Sequence, residues 1–187
     1  MKLIATNISN LTDARFFASY MPDLLLMPYQ RGNDLDNLLE WFRQVKPWIE
    51  GPQWGLAITG NLSGEEREKI LELGIKTLLY EGEPMNLESI EEFDMLVKCS
   101  SATRIEQMEK MNKISGIVTD YNSAQKISEI VKTDLFVQIE SVEDWRKIQV
   151  LDFQISGVVL RGDEEEKVGI RSFEQLSDIL EELIDLR

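Results

Sequence analysis

Short apolar, β-branched runs alternate with amphipathic helical stretches from one end of this sequence to the other, eight of each. The runs are Lys2 to Thr6, Leu24 to Tyr29, Trp54 to Thr59, Lys76 to Glu81, Asp94 to Cys99, Gly116 to Thr119, Leu135 to Glu140 and Ser156 to Leu160. A helix that joins two parallel strands crosses over right-handedly, so strict alternation leaves an open doubly wound sheet or a closed barrel. Eight units favour closure. The pattern predicts an α/β fold, a (β/α)8 TIM barrel of eight parallel strands, as a single domain over residues 1–187. Barrels of this kind usually need at least about 200 residues, so the connecting loops must be short.

Capping chemistry marks several helix starts. Ser63 with Glu66, Thr103 with Glu106 and Ser172 with Gln175 have the capping-box spacing, in which a side-chain oxygen satisfies an orphan N–H of the first turn. Apolar positions then recur at helical intervals: Ala14, Phe17, Ala18 and Met21; Leu35, Leu38, Leu39 and Phe42; Phe173, Leu176, Ile179, Leu180 and Leu183. One greasy face per helix suits packing against a sheet.

Composition narrows the chemistry. The 187 residues hold 20 basic and 34 acidic side chains, a formal charge of −14, with no histidine. Nucleic acids and anionic membranes are disfavoured as partners, since both require clustered Lys and Arg. Without histidine the usual base near neutral pH and the commonest transition-metal ligand are missing, so acid-base work falls to Asp, Glu, Lys, Tyr or the lone Cys99. A domain of this size buries roughly 70% of its unfolded surface and needs no disulfide. The unpaired Cys99, the absence of a signal-like amino terminus and the lack of any long apolar run lead us to expect a cytoplasmic protein.

In a barrel, residues at the carboxyl ends of the strands converge on one mouth. They are Thr6 and Asn7, Tyr29 and Arg31, Thr59 and Asn61, Glu81, Lys98 and Cys99, Asp120 and Tyr121, Glu140, and Arg161, Gly162 and Asp163. Glu81, Asp120 and Glu140 would share the cleft with Lys98 and Arg161 as counter-charges. Each carboxylate could instead stabilise the positive end of the following helix. The acids that follow Gly162, Asp163 to Glu166, lie where such barrels often hold phosphate but would repel it, and they suit a solvated acidic loop better than a metal site.

The run Thr6-Asn7-Ile8-Ser9-Asn10-Leu11-Thr12-Asp13-Ala14-Arg15, followed by Leu24-Leu25-Leu26-Met27, resembles the opening of phosphoribosylanthranilate isomerase. Leu96-Val97-Lys98, Asp120, Gly162 with Glu164, and Gly169-Ile170-Arg171-Ser172-Phe173 resemble later segments of that family, in the same order. The resemblance implies a cofactor-free Amadori rearrangement of a phosphorylated aminoaldose to an aminoketose, in tryptophan biosynthesis. It makes Asp120 the general acid that opens the sugar ring, and it places Thr6 where the family has its catalytic cysteine base. From the strand ends we take Asn7, Arg31, Glu81, Lys98, Glu140, Arg161 and Gly162 as the candidate substrate-binding set, with no metal, and the resemblance implies a small-molecule, phosphorylated ligand. The family's glycine-rich phosphate loop is replaced by Ile139-Glu140-Ser141-Val142-Glu143, its His-Gly by Glu81-Gly82, and its long second loop by Gln30-Arg31-Gly32-Asn33.

These departures leave two main readings. The first is an isomerase with Asp120 as acid and an altered base, because a threonine hydroxyl is a poor base without a histidine beside it. The second is a catalytically silent barrel that binds another small molecule or a protein partner. A third would use Glu81, Asp120 and Glu140 to hold a hard divalent cation. The sequence leaves the oligomeric state open.

Overall fold

A computed structural model of the chain describes residues 1–82, 91–109, 114–150, 153–162 and 173–184. Eight parallel strands close into a barrel in chain order. They are β1 (Lys2–Thr6), β2 (Leu24–Gln30), β3 (Gln53–Thr59), β4 (Thr77–Glu81), β5 (Asp94–Lys98), β6 (Gly116–Asp120), β7 (Asp134–Gln138) and β8 (Gly157–Arg161). The seam is the pairing of β8 with β1, from Lys2 opposite Gly157 to Thr6 opposite Arg161.

The described helices alternate with these strands: α1 (Leu11–Ala18), α2 (Leu35–Val45), α3 (Gly64–Glu72), α4 (Ala102–Glu109), α5 (Tyr121–Ser128), α6 (Val142–Gln149) and α7 (Glu174–Ile184). The helix expected after β4 falls largely on residues 83–90, outside the described residues.

Side chains alternate across a strand, and here the alternation divides two cores. Ile4, Leu24, Leu26, Ala57, Leu79, Leu96, Val118, Phe136 and Val159 fill the barrel interior. The alternate residues of each strand, such as Leu3, Leu25, Leu78, Val97 and Ile117, face outward and meet the helix stripes at Phe17, Leu39, Phe42, Ile70, Ile127, Ile179 and Leu180. Burying a large aliphatic or aromatic side chain of this kind is worth about 1.5–3 kcal/mol, which is why the periodicity of the sequence fixes the architecture.

The large interior side chains need empty space opposite them. A Cβ at Gly116 would lie 2.9 Å from Phe136 Cε2 and 3.0 Å from Leu96 Cδ2. At Gly157 it would lie 2.2 Å from the Lys2 carbonyl oxygen, so the β1–β8 seam closes only over glycine.

Several expected boundaries shift. β7 spans Asp134–Gln138, so Glu140 stands two residues beyond the strand; β5 ends at Lys98 and leaves Cys99 outside it; β6 and β8 run on to Asp120 and Arg161. Register with neighbouring strands sets these ends, as in Asp120 opposite Gln138, and a single-strand apolar run carries no such information. The capping box at Ser63 and Glu66 forms with both hydrogen bonds. Thr103 instead lies inside α4, which starts at Ala102, and Ser172 lies outside the described residues. Met21, expected in the buried stripe of α1, is 77% exposed, because the helix ends at Ala18 and Met21 adopts a left-handed φ of 49°. No helix among the described residues is long and apolar enough to cross a membrane.

Candidate functional site at the carboxyl ends of the strands

Continuing the inward alternation past the interior core brings the last inward side chain of each strand to one rim: Thr6, Gln30, Thr59, Glu81, Lys98, Asp120, Gln138 and Arg161. Register makes neighbours of Thr6 and Arg161, of Gln30 and Thr59, of Glu81 and Lys98, and of Asp120 and Gln138. Of the residues singled out from sequence, Thr6, Glu81, Lys98, Asp120 and Arg161 therefore share the inner ring. Gln138 was missed because the seventh strand was expected to end at Glu140. The parity of Asp134, Phe136 and Gln138 was the signal that could have found it.

Asp120 ends β6 and is at once the N-cap of α5. Its Oδ1 accepts from the backbone N–H of Ser123 at 3.0 Å, and its Oδ2 accepts from the hydroxyls of Ser123 at 3.0 Å and Ser100 at 2.5 Å. Burial pushes this carboxyl up, but the hydrogen bonds from Ser100 and Ser123 outweigh it and hold the group below the usual carboxylate range. Ser100, two residues beyond β5, is a contact that no motif announced.

Glu81 and Lys98, both half-buried, form an ion pair at 3.4 Å across β4 and β5. Thr6 is buried and donates its hydroxyl to the Leu160 carbonyl at 3.4 Å. Asn7, with a left-handed φ of 62°, donates its side-chain amide to the Gly162 carbonyl at 2.8 Å, and the Gly162 N–H is bonded to the Thr6 carbonyl at 2.9 Å. These two residues stitch the seam, and the Gly162 N–H is already committed to protein. Arg161 is exposed at the end of β8, and Asp163 to Glu166 lie outside the described residues.

The remaining candidates sit outside the inner ring. Arg31 follows the outward-facing Tyr29, whose hydroxyl donates to Glu66 at 2.5 Å, and Arg31 acts electrostatically on both members of that pair. Glu140 is exposed just before Ser141, the N-cap of α6; its backbone N–H is bonded to Asp144 at 3.3 Å and its carboxylate accepts from Gln138 at 3.4 Å. Its placement is that of an acid at a helix amino terminus. Cys99 is buried in the outer core, with its thiol directed at the Ser101 carbonyl, 3.6 Å away. No group of three or more Asp, Glu, Cys or His side chains among the described residues is arranged to hold a metal ion, and Glu81, Asp120 and Glu140 are each engaged as described above.

No family model matches this chain, and no curated protein matches it. Among solved structures, the fold is similar to phosphoribosyl anthranilate isomerase from Thermus thermophilus, with a TM-score of 0.78 and 13% identity over 100% of both chains. It is similar to a phosphoribosyl anthranilate isomerase in complex with reduced 1-(o-carboxyphenylamino)-1-deoxyribulose 5-phosphate, with a TM-score of 0.73 and 13% identity over 97% of each chain. The corresponding isomerase from Pyrococcus furiosus gives a TM-score of 0.65 at 12% identity, again over 97% of each chain. At these identities the likeness is one of fold.

Proposed function

We propose that this chain acts as one domain, a barrel of the phosphoribosylanthranilate isomerase type whose carboxyl-end mouth binds a small polar molecule without carrying out the isomerisation. The observation that carries this reading is the state of Asp120. Ring opening requires a protonated acid, whereas three hydrogen bonds donated by Ser100 and Ser123 stabilise the Asp120 carboxylate. The base is lacking as well, because the Thr6 hydroxyl has no histidine to deprotonate it and points at a main-chain carbonyl. Lys98 and Arg161 are the groups on the rim that would meet an anionic part of the ligand, while Glu81 and Asp120 give it hydrogen-bond acceptors.

A phosphorylated ligand is the natural first probe, given the complex of the similar isomerase noted above. Incubating the protein with phosphoribosylanthranilate should leave the substrate's fluorescence unchanged, and Thr6→Cys should not restore turnover while Ser100 and Ser123 hold the Asp120 carboxylate. Turnover by the unmodified chain, or its appearance in Thr6→Cys, would sink the reading. Titration calorimetry with the reduced 5-phosphate analogue then asks whether the mouth still accepts a phosphosugar, with Arg161→Ala expected to weaken any binding.

The second reading, an active isomerase with an altered base, would use Lys98, inward and one strand from Asp120, as the proton acceptor once its ammonium has lost a proton and left its ion pair with Glu81. It requires turnover that Lys98→Met abolishes.

A further inference from the structure

The opposite end of the barrel holds a concave site. A cavity of about 600 Å³ opens among the first residues of the strands, with walls formed by Ile4, Leu24, Leu96 and Phe136. That volume lies in the range of ligand-binding clefts, and the amino end of such barrels ordinarily serves stability alone. Its rim carries Asp23, Glu50, Asp94 and Asp134 against one cation, Lys2. Lys2 is itself bound to Asp134 at 3.0 Å and lies 5.8 Å from the Phe136 ring centroid, so it offers little positive charge to a visitor.

The exposed apolar side chains gather at the same end. Helices run antiparallel to the strands in a βα unit, so helix ends and strand starts share one face. Met1 precedes β1, Met21 lies between α1 and β2, Trp48 between α2 and β3, Val150 follows α6, and Ile184 closes α7. These are the exposed large hydrophobic residues among the described residues, with Met21, Trp48 and Val150 at 77%, 67% and 81% exposure. Met21 also lines the cavity, held there in its left-handed conformation. Exposed apolar groups at one end of the barrel, one of them at the lip of the well, mark an interaction surface.

We propose that this amino-end face docks a basic, amphipathic segment of a partner protein. An apolar side chain of the segment enters the well, Met21 covers its flank, and Lys or Arg side chains meet the acidic rim. Charge complementarity selects this occupant. A second copy of the chain would bring one acidic rim, still in negative excess with Asp134 paired to Lys2, against an equally acidic rim, in a molecule of formal charge −14.

The test uses the whole chain and a helix-forming peptide of leucine and lysine as probe, with a leucine–glutamate peptide as its acidic counterpart. Binding is followed by Trp fluorescence and mapped by amide chemical shifts. The basic peptide is expected to bind and to shift Lys2, Met21, Trp48 and Asp94, while the acidic one does not bind. Glu50→Lys with Asp94→Lys should weaken binding by roughly tenfold or more, as should Met21→Lys, a change at an exposed position that leaves the core intact. A control of equal charge change, Glu68→Lys with Glu181→Lys on exposed helix surfaces, should leave binding within about twofold. Equal losses in both double variants, or shifts centred on Lys98 and Asp120, would show charge attraction without a site and overturn the proposal. It is equally overturned if sedimentation shows a dimer that Met21→Lys dissociates, since a second copy then covers the face.

Discussion

Ser100 donates its hydroxyl to Asp120 at 2.5 Å, so the turn after β5 clamps the last residue of the neighbouring strand. The same carboxylate caps α5, which makes one side chain responsible for a helix start, a strand end and the charge of the candidate mouth.

Removing that clamp should be visible as a titration. In Ser100→Ala, Asp120 is expected to titrate at higher pH than in the parent, measured by carboxyl carbon chemical shifts. Its folded value lies below the unfolded one, so its stabilising contribution is present above the unfolded carboxylate range and is lost as acidification carries the pH down through the folded value. Asp120→Ala should cost about 1 kcal/mol through the lost cap, whereas Asp120→Asn, which still accepts from Ser123, should cost less.

Thr6→Val tests whether the hydroxyl is structural or chemical. It removes one hydrogen bond to Leu160 from a buried side chain, so the expected loss is about 1 kcal/mol by denaturant unfolding. Ligand binding at the mouth should survive, since the hydroxyl faces a main-chain carbonyl.

The pair of Tyr29 and Glu66 should give a distinct high-pH signature. Burial first, and then the bond to Glu66, push the Tyr29 phenol up to about 12. The sign follows directly: the unfolded phenol ionises first, so stability falls as pH rises from the ordinary tyrosine value through about 12. In an ultraviolet absorbance titration one tyrosine should ionise late, and Tyr29→Phe should remove that phase. The same substitution should cost about 1.5–3 kcal/mol, as expected for a hydrogen bond to a charged group.

Gly157→Ala should disrupt the seam far more than an alanine at a solvent-facing turn. Its Cβ would sit 2.2 Å from the Lys2 carbonyl, so β1 and β8 must separate, and a loss above about 4 kcal/mol is expected. Gly32→Ala meets no atom within 4 Å, and only its φ of 97° opposes the change, so a loss of about 1 kcal/mol should be seen by thermal unfolding.

Part of the mouth was legible beforehand. Lys98, Asp120 and Arg161 follow from strand-end positions in an alternating pattern, and the structure sets them, with Thr6 and Glu81, on one inner ring. Arg31 and Glu140 were equally close to strand ends in sequence, yet Arg31 follows the outward Tyr29 and Glu140 precedes the cap of α6. One residue of uncertainty in a strand end reverses which face a side chain takes, and only register with a neighbour removes it.

From the sequence alone came the repeated strand and helix periods, the buried stripes and the lack of histidine, because each depends on residue type and near-neighbour spacing. The tertiary structure alone decided that Ser100 and Ser123 together hold the Asp120 carboxyl below its usual range, that Gly162 spends its N–H on Thr6, and that Met21, just past the end of α1, lines an acidic well at the amino end of the barrel. Those relationships join residues far apart in the chain. Barrel closure creates the distances and the local dielectric that give them meaning, and neither exists until the eighth strand meets the first.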